Sequence, residues 1–226
     1  MITISKLKAL SVAAVGLLIV APVTALAVPT IRVSDGVNAP LLVVDESGGD
    51  LSSGMPGAVA LAGIIYNGWT LDLVLGMSKP LTGSATAADF SLYASAISSG
   101  AGSLKIQFSD DNFSPILGGY SLSYGGETAA TSSSAYKAYV DNTNILFGGS
   151  LLAGSIDSGA FSHNVSGSLA GAGPYSLTHE VQFTHTSASS SSISAGFVSV
   201  PDGGSTIGML GSLFVAVSAV RRKIRF

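Results

Sequence analysis

Residues 58–75 set two apolar segments on either side of Asn67-Gly68. That dipeptide is the signature of a two-residue type I′ hairpin turn, in which both central residues need positive φ. A loop of this length fixes the register. Tyr66 faces Trp69, Ile64 faces Leu71 and Ala62 faces Leu73. The period of two then predicts Tyr66, Ile64, Trp69, Leu71 and Leu73 on a core face, with Thr70 and Asp72 opposite. A chain that begins its core this way is committed to antiparallel sheet.

The rest of 28–199 extends the pattern. Strands are predicted at 30–34, 41–45, 90–95, 103–109, 120–124, 135–140, 145–147, 161–169, 175–185 and 193–200. Leu104, Ile106 and Phe108 alternate with Lys105 and Gln107. Leu177, His179, Val181, Phe183 and His185 alternate with Thr178, Glu180, Gln182 and Thr184. Both read as half-buried antiparallel strands. Gly/Ser clusters such as 98–102 and Gly125-Gly126 punctuate them at sandwich-like spacing, and no segment shows a helical period. The fold class expected is all-β: one antiparallel β-sandwich, with jelly-roll and immunoglobulin-like topologies both open. The chain has no cysteine, so sheet packing alone, or bound ions, must hold it.

The two ends differ from this middle. Lys6 and Lys8 precede an apolar run at 9–20, Pro22 breaks it, and Ala25-Leu26-Ala27 is the small-x-small pattern of a signal-peptidase site. Residues 1–27 therefore read as a signal-peptide helix for Sec export, with signal peptidase a partner and an uncleaved anchor the alternative. At the other end, Val200-Pro201-Asp202-Gly203-Gly204-Ser205-Thr206 precedes an apolar run at 207–220 and then Arg221, Arg222, Lys223 and Arg225. Counted from Gly203, the apolar stretch spans about 27 Å as a helix, close to a bilayer core of about 30 Å. The cations mark a cytoplasmic end and act as a stop-transfer signal.

This tripartite tail resembles a PEP-CTERM sorting signal in its Val-Pro-Asp variant, carried by Val200, Pro201, Asp202, the Gly203–Thr206 stretch and the Arg221-Arg222-Lys223 cluster. Gly203 stands where the family usually has a second proline. The resemblance covers 200–226 and implies a Gram-negative bacterial substrate of exosortase, cut near the motif and delivered to the cell surface or the extracellular polysaccharide matrix. A plain C-terminal membrane anchor is the alternative.

Between Val28 and Asp202 stand four basic residues (Arg32, Lys79, Lys105, Lys137) and all thirteen acidic ones, a formal charge of −9. Nucleic acid is not an expected partner of such a surface. Chemistry-bearing constellations are sparse, and no cofactor is expected. His179 and His185 lie six residues apart on one strand face, roughly 20 Å, too far to share a metal ion; His163 is the third histidine. Asp110-Asp111-Asn112 and Asp45-Glu46 with Asp50 are oxygen-rich turns without calcium-loop spacing, better read as turn formers. No catalytic residue is expected. The function implied is a structural or adhesive domain of an exported protein. A carbohydrate-binding module, with extracellular polysaccharide as partner, would need several of the seven tyrosines aligned on one sheet face. A hydrolase would need converging carboxylates or a serine–histidine pair.

Overall fold

A computed structural model describes residues 28–114, 118–169 and 173–201. The signal-peptide and tail segments, with their expected helices, lie outside the described residues. Twelve strands are described. The first six are β1 (Thr30–Ser34), β2 (Leu41–Val44), β3 (Ala58–Tyr66), β4 (Trp69–Met77), β5 (Asp89–Ser98) and β6 (Gly102–Phe113). The second six are β7 (Gly118–Thr128), β8 (Ser133–Asp141), β9 (Ser150–Asp157), β10 (Gly159–Leu169), β11 (Tyr175–His185) and β12 (Ser189–Pro201). No helix among the described residues is long and apolar enough to cross a membrane.

The strands form two six-stranded antiparallel sheets, ordered β2-β1-β6-β11-β8-β9 and β10-β7-β12-β5-β4-β3. Eight of them make a jelly roll. The β8–β9 pair sits at the centre of a long ribbon in which β7 pairs β10, β6 pairs β11 and β5 pairs β12. Rolling that ribbon sends alternate pairs to opposite sheets, so the two four-strand sets are β6-β11-β8-β9 and β10-β7-β12-β5. The remaining strands widen it: β1 and β2 beyond β6, β3 and β4 beyond β5.

Inward-facing residues of both sheets meet in one aromatic core. Phe90 stacks on Phe108 with ring centroids 4.7 Å apart and on His179 at 4.8 Å, and Tyr124 stacks on Tyr136 at 4.1 Å. Gly76 is needed there, because a Cβ at this position would lie 2.4 Å from the Phe108 ring.

The hairpin forms as the dipeptide requires. Asn67 has φ 47° and Gly68 φ 82°, and the pairs Tyr66–Trp69, Ile64–Leu71 and Ala62–Leu73 are all present. Trp69 and Leu71 are buried, but Leu73 is on the outside and Val74 takes the core position. The cause is a bulge: the pairing of β4 with β5 slips between Leu71 and Leu73, with Asp72 the extra residue. A bulge inverts the alternation beyond it. Gly63, at φ 66°, carries β3 through the same inversion.

Two further expectations are corrected. Residues 145–147 are not a strand; Asn144 (φ 64°) and Phe147 (φ 63°) turn the backbone, which lies over the outer face of the first sheet. There Phe147 N–H donates to Ser109 Oγ, and Ser176 Oγ donates to the Ile145 carbonyl. The strand is instead β9, an edge strand without clean alternation. Nor is β11 half-buried: on its outer side Thr178, bonded to Ser109 at this overlay, and Glu180, enclosed by Gln107, Lys105 and Lys137, are buried as well.

Candidate functional site

The histidines are all committed to the fold. His179 is buried between the Tyr136 hydroxyl, 2.5 Å from Nδ1, and the Phe90 carbonyl, 3.1 Å from Nε2. Burial pushes its pKa down to about 4, so it is neutral. His163 Nε2 lies 3.0 Å from Asp157 Oδ1, tying β10 to the end of β9 across the turn at Gly159. Among the described residues, no group of three His, Cys, Asp or Glu side chains converges as a metal site would require.

His185 is where the structure shows something the sequence did not. Its Nδ1 lies 2.7 Å from Ser98 Oγ and its Nε2 2.8 Å from Ser191 Oγ, which continues to Thr128 Oγ1 at 2.5 Å. A serine–histidine pair is therefore present. A nucleophile also needs access and a base poised to ionise. Ser98, Ser191, Thr128 and His185 are all at most 3% exposed, and burial lowers the His185 pKa. The hydroxyl chain satisfies a neutral imidazole on both nitrogens and sutures β5, β11, β12 and β7 together.

The acidic turn at 45–50 serves the backbone, whereas Asp110-Asp111-Asn112, expected as a second turn, lies inside β6. Asp50 accepts from the amides of Glu46, Ser52 and Ala60, and the Glu46 carboxylate accepts from Gly54 N–H. Asp110 is fully buried at the end of β6, accepting from Ser78 Oγ at 2.5 Å and Lys79 Nζ at 2.8 Å. Lys79 also donates to the Asp111 carbonyl and sits 3.6 Å above the Phe113 ring. Burial pushes the lysine pKa down and the Asp110 pKa up, while each charge pulls the other back.

Of the sorting-signal residues, Val200 and Pro201 are described. They close β12, paired with Gly119 and Gly118 of β7. Asp202, Gly203, Gly204, Ser205, Thr206 and the cations Arg221, Arg222, Lys223 and Arg225 lie outside the described residues, as do Ala25 and Ala27.

One open surface that can meet a ligand is the outer face of the second sheet. Register sets Ser162, Gly125, Ser194 and Tyr93 side by side across β10, β7, β12 and β5. The flanking rows run Asn164, Ser123, Gly196, Ser91 on one side and Ala160, Glu127, Ser192, Ser95 on the other. Two shallow grooves of about 370 and 400 Å³ lie along these rows. Serines line both; Gly125 and Gly196 line the larger, and Tyr93, 37% exposed, and Glu127 the smaller. A flat ring, hydroxyls and one carboxylate are groups that can stack on and hydrogen-bond a sugar. The wider alignment of tyrosines is absent. Tyr120, Tyr124, Tyr136 and Tyr175 are in the core, and Tyr139 lies on the opposite sheet.

No family model matches this chain, and no curated protein matches it. Among solved structures, the chain is similar to TmCBM61, determined with beta-1,4-galactotriose, at 9% identity and TM-score 0.32, over 68% of this chain and 92% of that one. It is also similar to the enzymatically active domain of bacteriophage CBA120 tailspike protein 4. There identity is 9% and TM-score 0.33, over 59% of this chain and 20% of that one.

Proposed function

We propose that this protein is a non-catalytic, adhesive component of a bacterial surface or extracellular matrix, exported and sorted by exosortase, whose jelly-roll domain holds polysaccharide along the serine-lined grooves of the second sheet. The observation that carries the adhesive part is the outer face centred on Tyr93. Its serines recur at alternate positions of β5, β12, β7 and β10, an arrangement that core packing does not demand. The tail resemblance supports the sorting part. Affinity electrophoresis of the full-length protein through gels containing cell-free matrix polysaccharide from its source tests the adhesive part. Retardation is expected, and Tyr93→Ala should reduce it by removing the stacking surface. Equal mobility with and without polysaccharide would overturn the adhesive reading.

A further inference from the structure

The first sheet carries the domain's other concentration of chemistry. Three of the four cations between Val28 and Asp202 lie on its outer face: Arg32 on β1, Lys105 on β6 and Lys137 on β8. Register places Arg32, Gln107, Glu180 and Lys137 side by side in one row across β1, β6, β11 and β8. Lys105 stands in the next row, beside Gln182.

The row is wired together. Arg32 Nε donates to Gln107 Oε1 at 2.8 Å, and Gln107 Nε2 donates to Glu180 Oε2 at 2.9 Å. Lys105 and Lys137 approach the two Glu180 oxygens at 3.6 and 3.7 Å. The Glu180 side chain is 8% exposed and the lysines 40% and 44%. The carboxylate is thus the floor, and the two ammonium groups are the rim. Arg32 is held over the Phe147 ring at 4.3 Å, and no described carboxylate forms an ion pair with it.

A buried glutamate needs one cation. This one has two, with an arginine further along its row, so the site carries two positive charges in excess. The excess stands out further against the −9 of the surrounding region. Leu42, Leu151 and Ile156, all more than half exposed, flank the row on the edge strands β2 and β9. Half-buried Tyr139 lies between Thr178 and Leu151 in the adjoining row.

We propose that this face binds an acidic polysaccharide, its carboxylate or sulfate groups seated at Lys105 and Lys137 and its sugar rings lying on Tyr139 and the flanking aliphatic side chains. Duplex DNA does not fit. It presents a charge every 1.7 Å or so, and a strongly acidic domain with only two uncompensated cations repels it. A glycan with about one charge per sugar is matched to two rim ammonium groups separated by a strand.

The test is surface binding of the full-length protein to polygalacturonate, dextran sulfate, neutral dextran and duplex DNA. Salt should be about 20 mM and then about 300 mM, where the Debye length falls from roughly 20 Å to about 6 Å. Binding to one or both acidic glycans above dextran, lost at the higher salt, is expected, and the stronger of the two names the anion. The double variant Lys105→Gln, Lys137→Gln should weaken it at least fivefold with unchanged circular dichroism. Glu180→Gln keeps an acceptor for Gln107 but removes the competing carboxylate, and should tighten it. Undiminished binding in the folded double variant, no tightening on Glu180→Gln, or DNA bound as well as either glycan would overturn the proposal. Tyr93→Ala reads the grooves of the second sheet and the Lys105→Gln, Lys137→Gln variant reads this face, so failure at one is distinguishable from failure at the other.

Discussion

Mild acid should destabilise this domain through His179. The phenylalanine carbonyl at Nε2 can only accept, so Nε2 carries the ring proton and Nδ1 accepts from the Tyr136 hydroxyl. The neutral imidazole is satisfied at both nitrogens, and a second proton would be buried without a counter-charge. Burial lowers the folded pKa from 6.5 to about 4. For a base depressed in this way the unfolded chain takes up the proton first. Stability is therefore complete above about pH 6.5 and is lost as pH falls towards about 4, where the folded form also protonates. At about 1.4 kcal/mol per pH unit the whole window removes about 3 kcal/mol, a large share of a typical domain's roughly 5–15 kcal/mol. His185, also depressed by burial, acts in the same direction. Urea unfolding between pH ~7.5 and pH ~4.5, followed by circular dichroism and by Trp69 fluorescence, measures this. The wild-type midpoint should fall steadily across the window. His179→Gln should start lower and fall with a shallower slope. Equal slopes, or a wild-type midpoint that holds to pH ~4.5, would refute the reasoning.

Two other perturbations follow from the same packing, and a third from the tail sequence. Gly68→Val forces a β-branched residue to φ 82° and should cost about 1–3 kcal/mol, read as a drop in thermal midpoint with the fold retained. Lys79→Met leaves the fully buried Asp110 carboxylate without its counter-ion and should cost about 3–5 kcal/mol in chemical denaturation, while adding Asp110→Leu should recover much of that loss. In a host carrying exosortase, intact-mass measurement should find the mature protein without residues 207–226. Altering Pro201 and Asp202 should block that processing, and surface protein still ending at Phe226 would leave a plain anchor.

Much of the fold was legible because strand formation here is written in local pattern. Asn67-Gly68 located a turn and its register to the residue, and the alternation of Leu104, Ile106 and Phe108 with Lys105 and Gln107 told inside from outside. The misreadings occurred where a local rule met a non-local contact. Leu73 sits past a bulge that exists only because β5 pairs alongside. Ile145 and Phe147 look like strand residues, but hydroxyls of Ser176 and Ser109, on strands distant in sequence, hold their backbone as a cover. The serine–histidine contact at His185 was illegible for a related reason: Ser98 is 87 residues away, and nothing local distinguishes it from the chain's other serines.

Local pattern alone was enough to make the middle of this chain antiparallel sheet, to tell which side of most strands faces inward, to exclude a disulfide brace and to show its charge as acidic. Those are properties of neighbouring residues, and a period of two needs no knowledge of a partner. Which strands lie side by side was settled by long-range packing. That choice is made by burial summed over both sheets, and it wound the ribbon into a jelly roll. The same choice set Arg32 beside Gln107, 75 residues on, and Gln107 beside Glu180, 73 further, with Lys137 next in the row. Scattered polar residues on the outward side of four strands became one charged face through register alone.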